Sequence, residues 1–299
     1  MAGPRPPNAE EIAWMLEHAD DNRGPSFIAC ATIAAVIGTL CVALRLWSRH
    51  IQHGRMYLMA SDWFAVAAWV SLMGYAVCGC LATRYGLGRH VIFITDHRLF
   101  SIMDLLFRFF YVPVVTFLKL SILCLYRNIF GTTRWFRCLI WVAAALAAEL
   151  AIQSTFTIFL ECIPLAHLWN PTLPARCINT SIVGSVAYAQ NIITDVIILS
   201  MPIPLIRGLQ ISKQKKWGLI FAFTIGTSTC VVCLVQIKYF SGSSAIIVDG
   251  SWDRMYPNYL STIECMTGFI ATSVVVYGPL YRRLFQRPTT PSQGPLLED

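Results

Sequence analysis

The chain has 299 residues, 56% of them hydrophobic and only 13% charged, against roughly a quarter charged in an ordinary soluble domain, and its mean hydropathy is +0.58. So few charges exclude a water-soluble enzyme domain, a disordered chain and a secreted disulfide scaffold. The 23 Lys and Arg against 16 Asp and Glu leave a net charge of +7, which raises nucleic acid as a partner and makes the placement of the basic residues the first question.

Residues 1–25 form a short polar tail without the basic-then-apolar pattern of a cleavable leader, so the first apolar run is expected to act as an uncleaved anchor. Runs of about 20 apolar residues, the length that crosses roughly 30 Å of hydrocarbon, then recur near 26–46, 60–82, 105–125, 138–160, 181–203, 217–239 and 258–280. The predicted fold is therefore all-α: a seven-transmembrane-helix bundle over 26–280, followed by a disordered tail at 281–299. No alternating apolar pattern of the kind that builds an outer-membrane barrel is present.

Basic residues fix the expected orientation, because cytosolic loops keep positive charge. Alternate connections carry Arg45, Arg49 and Arg55; Arg127, Arg134 and Arg137; Arg207, Lys213, Lys215 and Lys216; and Arg282, Arg283 and Arg287. The opposite side carries Arg5, Arg23, Arg84, Arg89, Arg98, Arg176 and Arg254. The N-terminus is thus expected outside or in the lumen and the C-terminus in the cytosol. The net charge becomes an orientation signal spread over four connections, and nucleic acid drops out as a partner.

Of the 11 cysteines, Cys30, Cys41, Cys124, Cys138, Cys230, Cys233 and Cys265 fall in the apolar runs and read as small packing residues. Cys162 and Cys177 lie together in the outer connection between the fourth and fifth runs and are a candidate disulfide, with Cys78 or Cys80 as the rival partner for either. Asn179-Thr180-Ser181 on the same side is a glycosylation sequon close to the fifth run.

Several motifs carry a resemblance. They are Leu44-Arg45-Leu46-Trp47-Ser48-Arg49, Ser61-Asp62-Trp63, Gly86-Leu87-Gly88-Arg89-His90, the stretch from Leu118 to Arg127, Cys162-Ile163-Pro164 with Trp169 and Cys177, and the stretch from Asp195 to Pro204 followed by Lys215-Lys216. As a set, over about 26–285, they resemble the fungal rhodopsin-like integral-membrane family, which includes satratoxin-cluster and Pth-eleven-type proteins. The resemblance implies a fungal seven-helix protein; the expected location of such a multi-pass chain is the endoplasmic reticulum or plasma membrane. It does not imply retinal, because a Schiff base would need a lysine in the seventh run and no lysine follows Lys238.

Ionisable groups inside a membrane are expensive to keep, which marks them as functional candidates. Asp104, Arg108 and Tyr111 share one helical face, Glu149 and Gln153 another, and Tyr188, Asn191 and Asp195 a third. If these faces converge with Glu264, a polar pocket opens toward the outer leaflet. Glu149, Glu264, Asp104 and Arg108 are its candidate catalytic groups, and Tyr111, Gln153, Tyr188 and Asn191 its lining. Asp62, Lys119 and Asp195, deeper toward the cytosolic half, read as an ion network that holds the bundle together.

Other chemistries lack their residues. The six histidines are scattered over both sides, Asp-rich diphosphate motifs are missing, and no nucleophile elbow, P-loop or dinucleotide fingerprint occurs. No metal or other cofactor is therefore implied. Buried carboxyls can act as general acids, and aromatic faces stabilise carbocations. The pocket suits a metal-independent, acid-initiated cyclase acting on a prenylated or terpenoid intermediate of fungal secondary metabolism. Its expected partners are the bilayer, a hydrophobic substrate and other enzymes of the same pathway. A Pth-eleven-type receptor is the first alternative, favoured by Tyr126-Arg127-Asn128 at the inner end of the third run; an accessory transporter or scaffold is the second.

Overall fold

The computed structural model describes residues 8–53, 58–130, 133–170, 172–203, 213–242, 249–274 and 276–277. The expected cytosolic tail at 281–299 lies outside the described residues, as do the basic connections around Arg55 and Arg207. The described chain is almost wholly helical: α1 (Ala9–Glu17), α2 (Gly24–His53), α3 (Ala60–Arg84), α4 (His97–Phe130), α5 (Arg134–Phe159), α6 (Thr180–Ser200), α7 (Lys213–Gly242), α8 (Gly250–Asp253) and α9 (Met255–Val274). Among the described residues five helices, α2 to α6, are long and apolar enough to cross a membrane. Several such helices in one chain are the build of an integral, multi-pass membrane protein.

The long helices pack in sequence, α2 on α3, α3 on α4, and so on through α5, α6 and α7 to α9, and α9 closes back onto α2. Helix α9 also touches α4 across the middle. The polarity of the packing is inverted relative to a soluble bundle. Helix α3 buries Ser61, Asp62 and Ser71, whereas α5 exposes Trp141, Val142, Ile152 and Phe156. Apolar side chains face outward because lipid, unlike water, does not penalise them. The interior is still filled by large groups, including Phe27, Leu72, Tyr75, Phe107, Leu118 and Phe269.

One end of the bundle is capped. The polar N-terminal stretch is not merely a tail, since α1 docks there with Met15 buried. Gly86 and Gly88 take φ of +122° and +88° in the turn after α3. A Cβ on Gly88 would stand 2.8 Å from the Gly24 nitrogen, so glycine is required for the chain to pass that close. The turn delivers His90, fully buried, to Asp249 with Nδ1 and Oδ2 2.5 Å apart. Trp14 and Trp252 flank the imidazole. Between α5 and α6 two short antiparallel strands, β1 (Cys162–Ile163) and β2 (Arg176–Cys177), set Cys162 opposite Cys177, and the two are disulfide-bonded.

At the opposite end the structure redistributes the expected ion network. Asp62 does not join Lys119. It accepts from Arg45 Nε at 2.7 Å and pairs with Arg49 Nε at 3.1 Å, all three side chains being buried. Arg45 and Arg49 were expected in a connecting loop, yet α2 continues past both. Arg45 also donates to the Thr272 carbonyl at 3.0 Å, so one carboxylate and two guanidiniums tie α2, α3 and α9 together.

Candidate functional site

Toward the capped end, α4, α5, α6 and α9 enclose a cavity of about 240 Å³. Its position follows from small side chains where two helices would otherwise meet: Ala151 and Ser154 on α5, and Gly184 and Ala187 on α6, all line it. Pro113 lies within α4, two residues past Tyr111, and removes one donor from that helix's ladder. The wall is apolar through Val112, Val115, Leu150 and Val183, with the aromatic groups of Tyr75, Phe107, Tyr111 and Tyr188 around it.

The mouth is charged. Arg108 pairs with Asp104 one turn before it at 3.1 Å and with Glu161 at 2.8 Å. Arg254 reaches the same Asp104 oxygen at 3.5 Å. Asp253, exposed to solvent at the end of α8 and packed along one side only, completes the rim. It lies beyond the spanning helices, and burial together with the neighbouring Asp249 charge pushes its carboxyl up from the ordinary aspartate range.

Below the cavity lies a second polar layer. The Tyr111 hydroxyl donates to Glu264 at 2.6 Å, and the Asn191 amide donates to the other Glu264 oxygen at 2.8 Å. Lys119 donates to the Asn191 side chain at 2.7 Å and to its backbone carbonyl at 3.1 Å, and pairs with Asp195 at 3.0 Å. This layer joins α4, α6 and α9 by groups that have no water to turn to, so each bond stands in for lost hydration. Asp195, Cys233 and Glu264 place ligand atoms within 4.8 Å of one another and could hold a metal ion. Lys119 already puts a positive charge on that group.

The expected site residues thus separate. Asp104, Arg108, Tyr111, Tyr188 and Asn191 all line the cavity. Glu264 stands one layer behind it, reached through Tyr111 and Asn191. Glu149 is not in the site: α5 turns it outward, exposed among the apolar residues that face away from the bundle. Gln153 is partly buried but does not line the cavity, and its Oε1 has no partner. The Glu149–Gln153 face was expected to point inward because both are polar. The small residues Ala151 and Ser154 decide the matter instead, by allowing α6 to approach. Asn179 caps α6, its side chain accepting from the Ile182 amide at 3.3 Å. Tyr75, Ser261 and the Asp253-Arg254 pair were not anticipated. Only the last had a sequence signal, two charges set against the start of an apolar run.

Comparison with known proteins gives a consistent placement. The fungal rhodopsin domain profile matches residues 44–283. A SAT4 family membrane protein of Emericella nidulans is 26% identical over 72% of this chain and 56% of its own length. Satratoxin biosynthesis SC1 cluster protein 4 of Stachybotrys chartarum is 24% identical over 58% of this chain and 60% of its own. Receptor GIN3 of Arthrobotrys oligospora is 23% identical over 85% of this chain and 64% of its own. The chain therefore spans less than two thirds of each of these relatives. No solved structure matches it.

Proposed function

This chain belongs to the fungal rhodopsin family, and from that premise we propose that it is a membrane-embedded cyclase of fungal secondary metabolism, acting without a metal on a prenylated or terpenoid intermediate. In this reading all seven long helices span the bilayer of the endoplasmic reticulum or plasma membrane, with the capped end outside or in the lumen and the C-terminus in the cytosol. Other enzymes of the same pathway are its expected neighbours. The observation that carries the reading is Tyr111, which lines an apolar, aromatic cavity and is hydrogen-bonded through its hydroxyl to Glu264.

The chemistry balances on those groups. In the reactive state Glu264 carries a proton and the bond between the two is turned round: Glu264 donates to the Tyr111 oxygen while Tyr111 gives its own proton to the oxygen of a bound epoxide, whose C–O bond breaks to leave a hydroxyl on the product. The π pair of a neighbouring alkene closes the ring, and the final cation gives its proton to the Tyr111 oxygen, which passes its own back to the Glu264 carboxylate. Lys119 balances one of the two carboxyls in the lower layer, and a proton on Glu264 balances the other. Positive charge developing in the cavity meets the faces of Tyr75, Phe107, Tyr111 and Tyr188.

Microsomes containing the protein, given a prenylated epoxide, should form a cyclised isomer of the same mass. Tyr111→Phe and Glu264→Gln should slow this by about 10² to 10⁴, the range for loss of a general acid, whereas Glu149→Gln should leave it unchanged. Unaltered epoxide in every sample would overturn the reading. A receptor is the second possibility, favoured by the likeness to Receptor GIN3 and by Arg127, exposed at the end of α4 opposite the cap with its guanidinium over the Trp141 ring.

A further inference from the structure

The charges around the cavity do not cancel. Asp104, Glu161 and Asp253 face Arg108 and Arg254, and both guanidiniums are already engaged. Arg108 is shared between Asp104 and Glu161, and Arg254 leans on Asp104. The Asp253 carboxylate makes no hydrogen bond or ion pair among the described residues. An anionic head entering the mouth would meet two guanidiniums that already carry carboxylates, and one lining carboxylate more.

We propose that the cavity takes an amphiphile with a cationic head, a protonated amine above all, held at the mouth by Asp253 with its apolar body between α5 and α6.

Three features support it. The body of such a molecule matches the wall of Val112, Val115, Leu150 and Val183, and the small residues Ala151, Gly184 and Ala187 leave the room for it. Its head would complete the charge count at the rim, where opposite charge selects among partners of similar size. Asp253 is also fixed in place without a direct ion pair, Arg23 and His90 opposing its charge only from a distance. Its segment is held by Asp249, which bonds His90 and the Val91 amide, and by Arg23, whose guanidinium lies 3.7 Å from the Trp252 ring centroid. Asp249, His90, Arg23 and Arg254 are the charged or titratable groups that face Asp253 from the surrounding elements. His90 is occupied by Asp249 and Arg23 by Trp252 and Tyr256. The raised affinity of Asp253 for a proton, a consequence of its surroundings, is what a waiting cation would relieve.

The proposal uses the same cavity as the cyclase reading but needs no turnover, so the two fail separately. The protein in zwitterionic nanodiscs is titrated calorimetrically with octylamine, octanoate and octan-1-ol, with empty nanodiscs subtracted. Octylamine should bind about ten-fold more tightly than octanoate or octanol, a difference of about 1.4 kcal/mol. That preference should fall to less than about three-fold in Asp253→Asn and persist in Glu149→Gln, whose side chain lies on the far side of α5. Equal or tighter binding of octanoate or octanol, absence of octylamine binding, or an amine preference that survives Asp253→Asn would each overturn it. Amine binding without any cyclisation would leave this proposal standing and remove the cyclase one.

Discussion

Tyr111 on α4 donates its hydroxyl proton to Glu264 on α9 across 2.6 Å, although the two residues are 153 positions apart in the chain. The bond joins the floor of the cavity to the polar layer beneath it. Whatever enters the cavity therefore touches Glu264 only through Tyr111 or Asn191.

Because the two side chains share one bond, their removal should not be additive. Tyr111→Phe and Glu264→Gln, made singly and together, are expected to show a coupling of about 0.5–3 kcal/mol in thermal unfolding, as contacting polar pairs do. Additivity within about 0.3 kcal/mol would mean that the bond does not exist in the folded protein.

A larger effect is expected at the other end of the bundle. Asp62→Ala leaves Arg45 and Arg49 buried without their carboxylate, a change that costs about 3–5 kcal/mol in buried ion pairs. Fluorescence-detected size exclusion should show loss of the monodisperse species. Replacing all three by apolar residues, as Arg45→Met, Arg49→Leu and Asp62→Leu, should recover much of it, since the penalty comes from stranded charge rather than from lost attraction.

Cys162 and Cys177 close a loop with a sequence separation of 15 residues. Opening it with Cys162→Ser should destabilise the protein by about 3 kcal/mol on the chain-entropy account, and non-reducing electrophoresis should lose its mobility difference from the reduced form. Glu161 immediately precedes Cys162, so the Arg108 pair at the mouth should loosen as well, and octylamine binding should weaken with it.

The pH dependence follows from Asp253. Its pKa in the folded protein lies above that of an unfolded aspartate, about 3.9, so the folded state holds this proton more tightly than the unfolded one. Stability from this group is present below the unfolded value and is lost as pH rises toward the folded value. Unfolding midpoints of the wild type should therefore fall with rising pH across that window relative to Asp253→Asn. Octylamine binding should do the opposite and strengthen as the carboxyl ionises.

Sequence reasoning reaches the helices because a bilayer demands long apolar stretches, and those are visible in one dimension. It also reaches Asp104, Arg108 and Tyr111, whose spacing alone places them on one face. It misplaces Glu149, because which face of α5 turns inward depends on how closely α6 approaches, and that is set by Ala151, Ser154, Gly184 and Ala187 acting across two helices. It misassigns Asp62 for a related reason. Asp62, Lys119 and Asp195 share a depth toward the cytosolic half, which suggests one network, but the helix carrying Arg45 and Arg49 extends further than its apolar part and keeps both guanidiniums buried against Asp62.

The contact of α9 with α2 has a consequence for how the molecule is made. Arg45 meets the Thr272 carbonyl and Ser48 the Val276 carbonyl, each across more than 220 positions. Tyr259 binds the Arg23 carbonyl and Tyr277 the Cys41 carbonyl over a similar span. Until α9 emerges from the ribosome, the first long helix has Asp62 of α3 for its guanidiniums but lacks the Thr272 carbonyl for Arg45 and the Val276 carbonyl for Ser48, and one flank stays open to the surrounding lipid. Closure of the ring therefore waits for α9, and an arrest in synthesis before Met255 would leave an open ring for quality control to recognise.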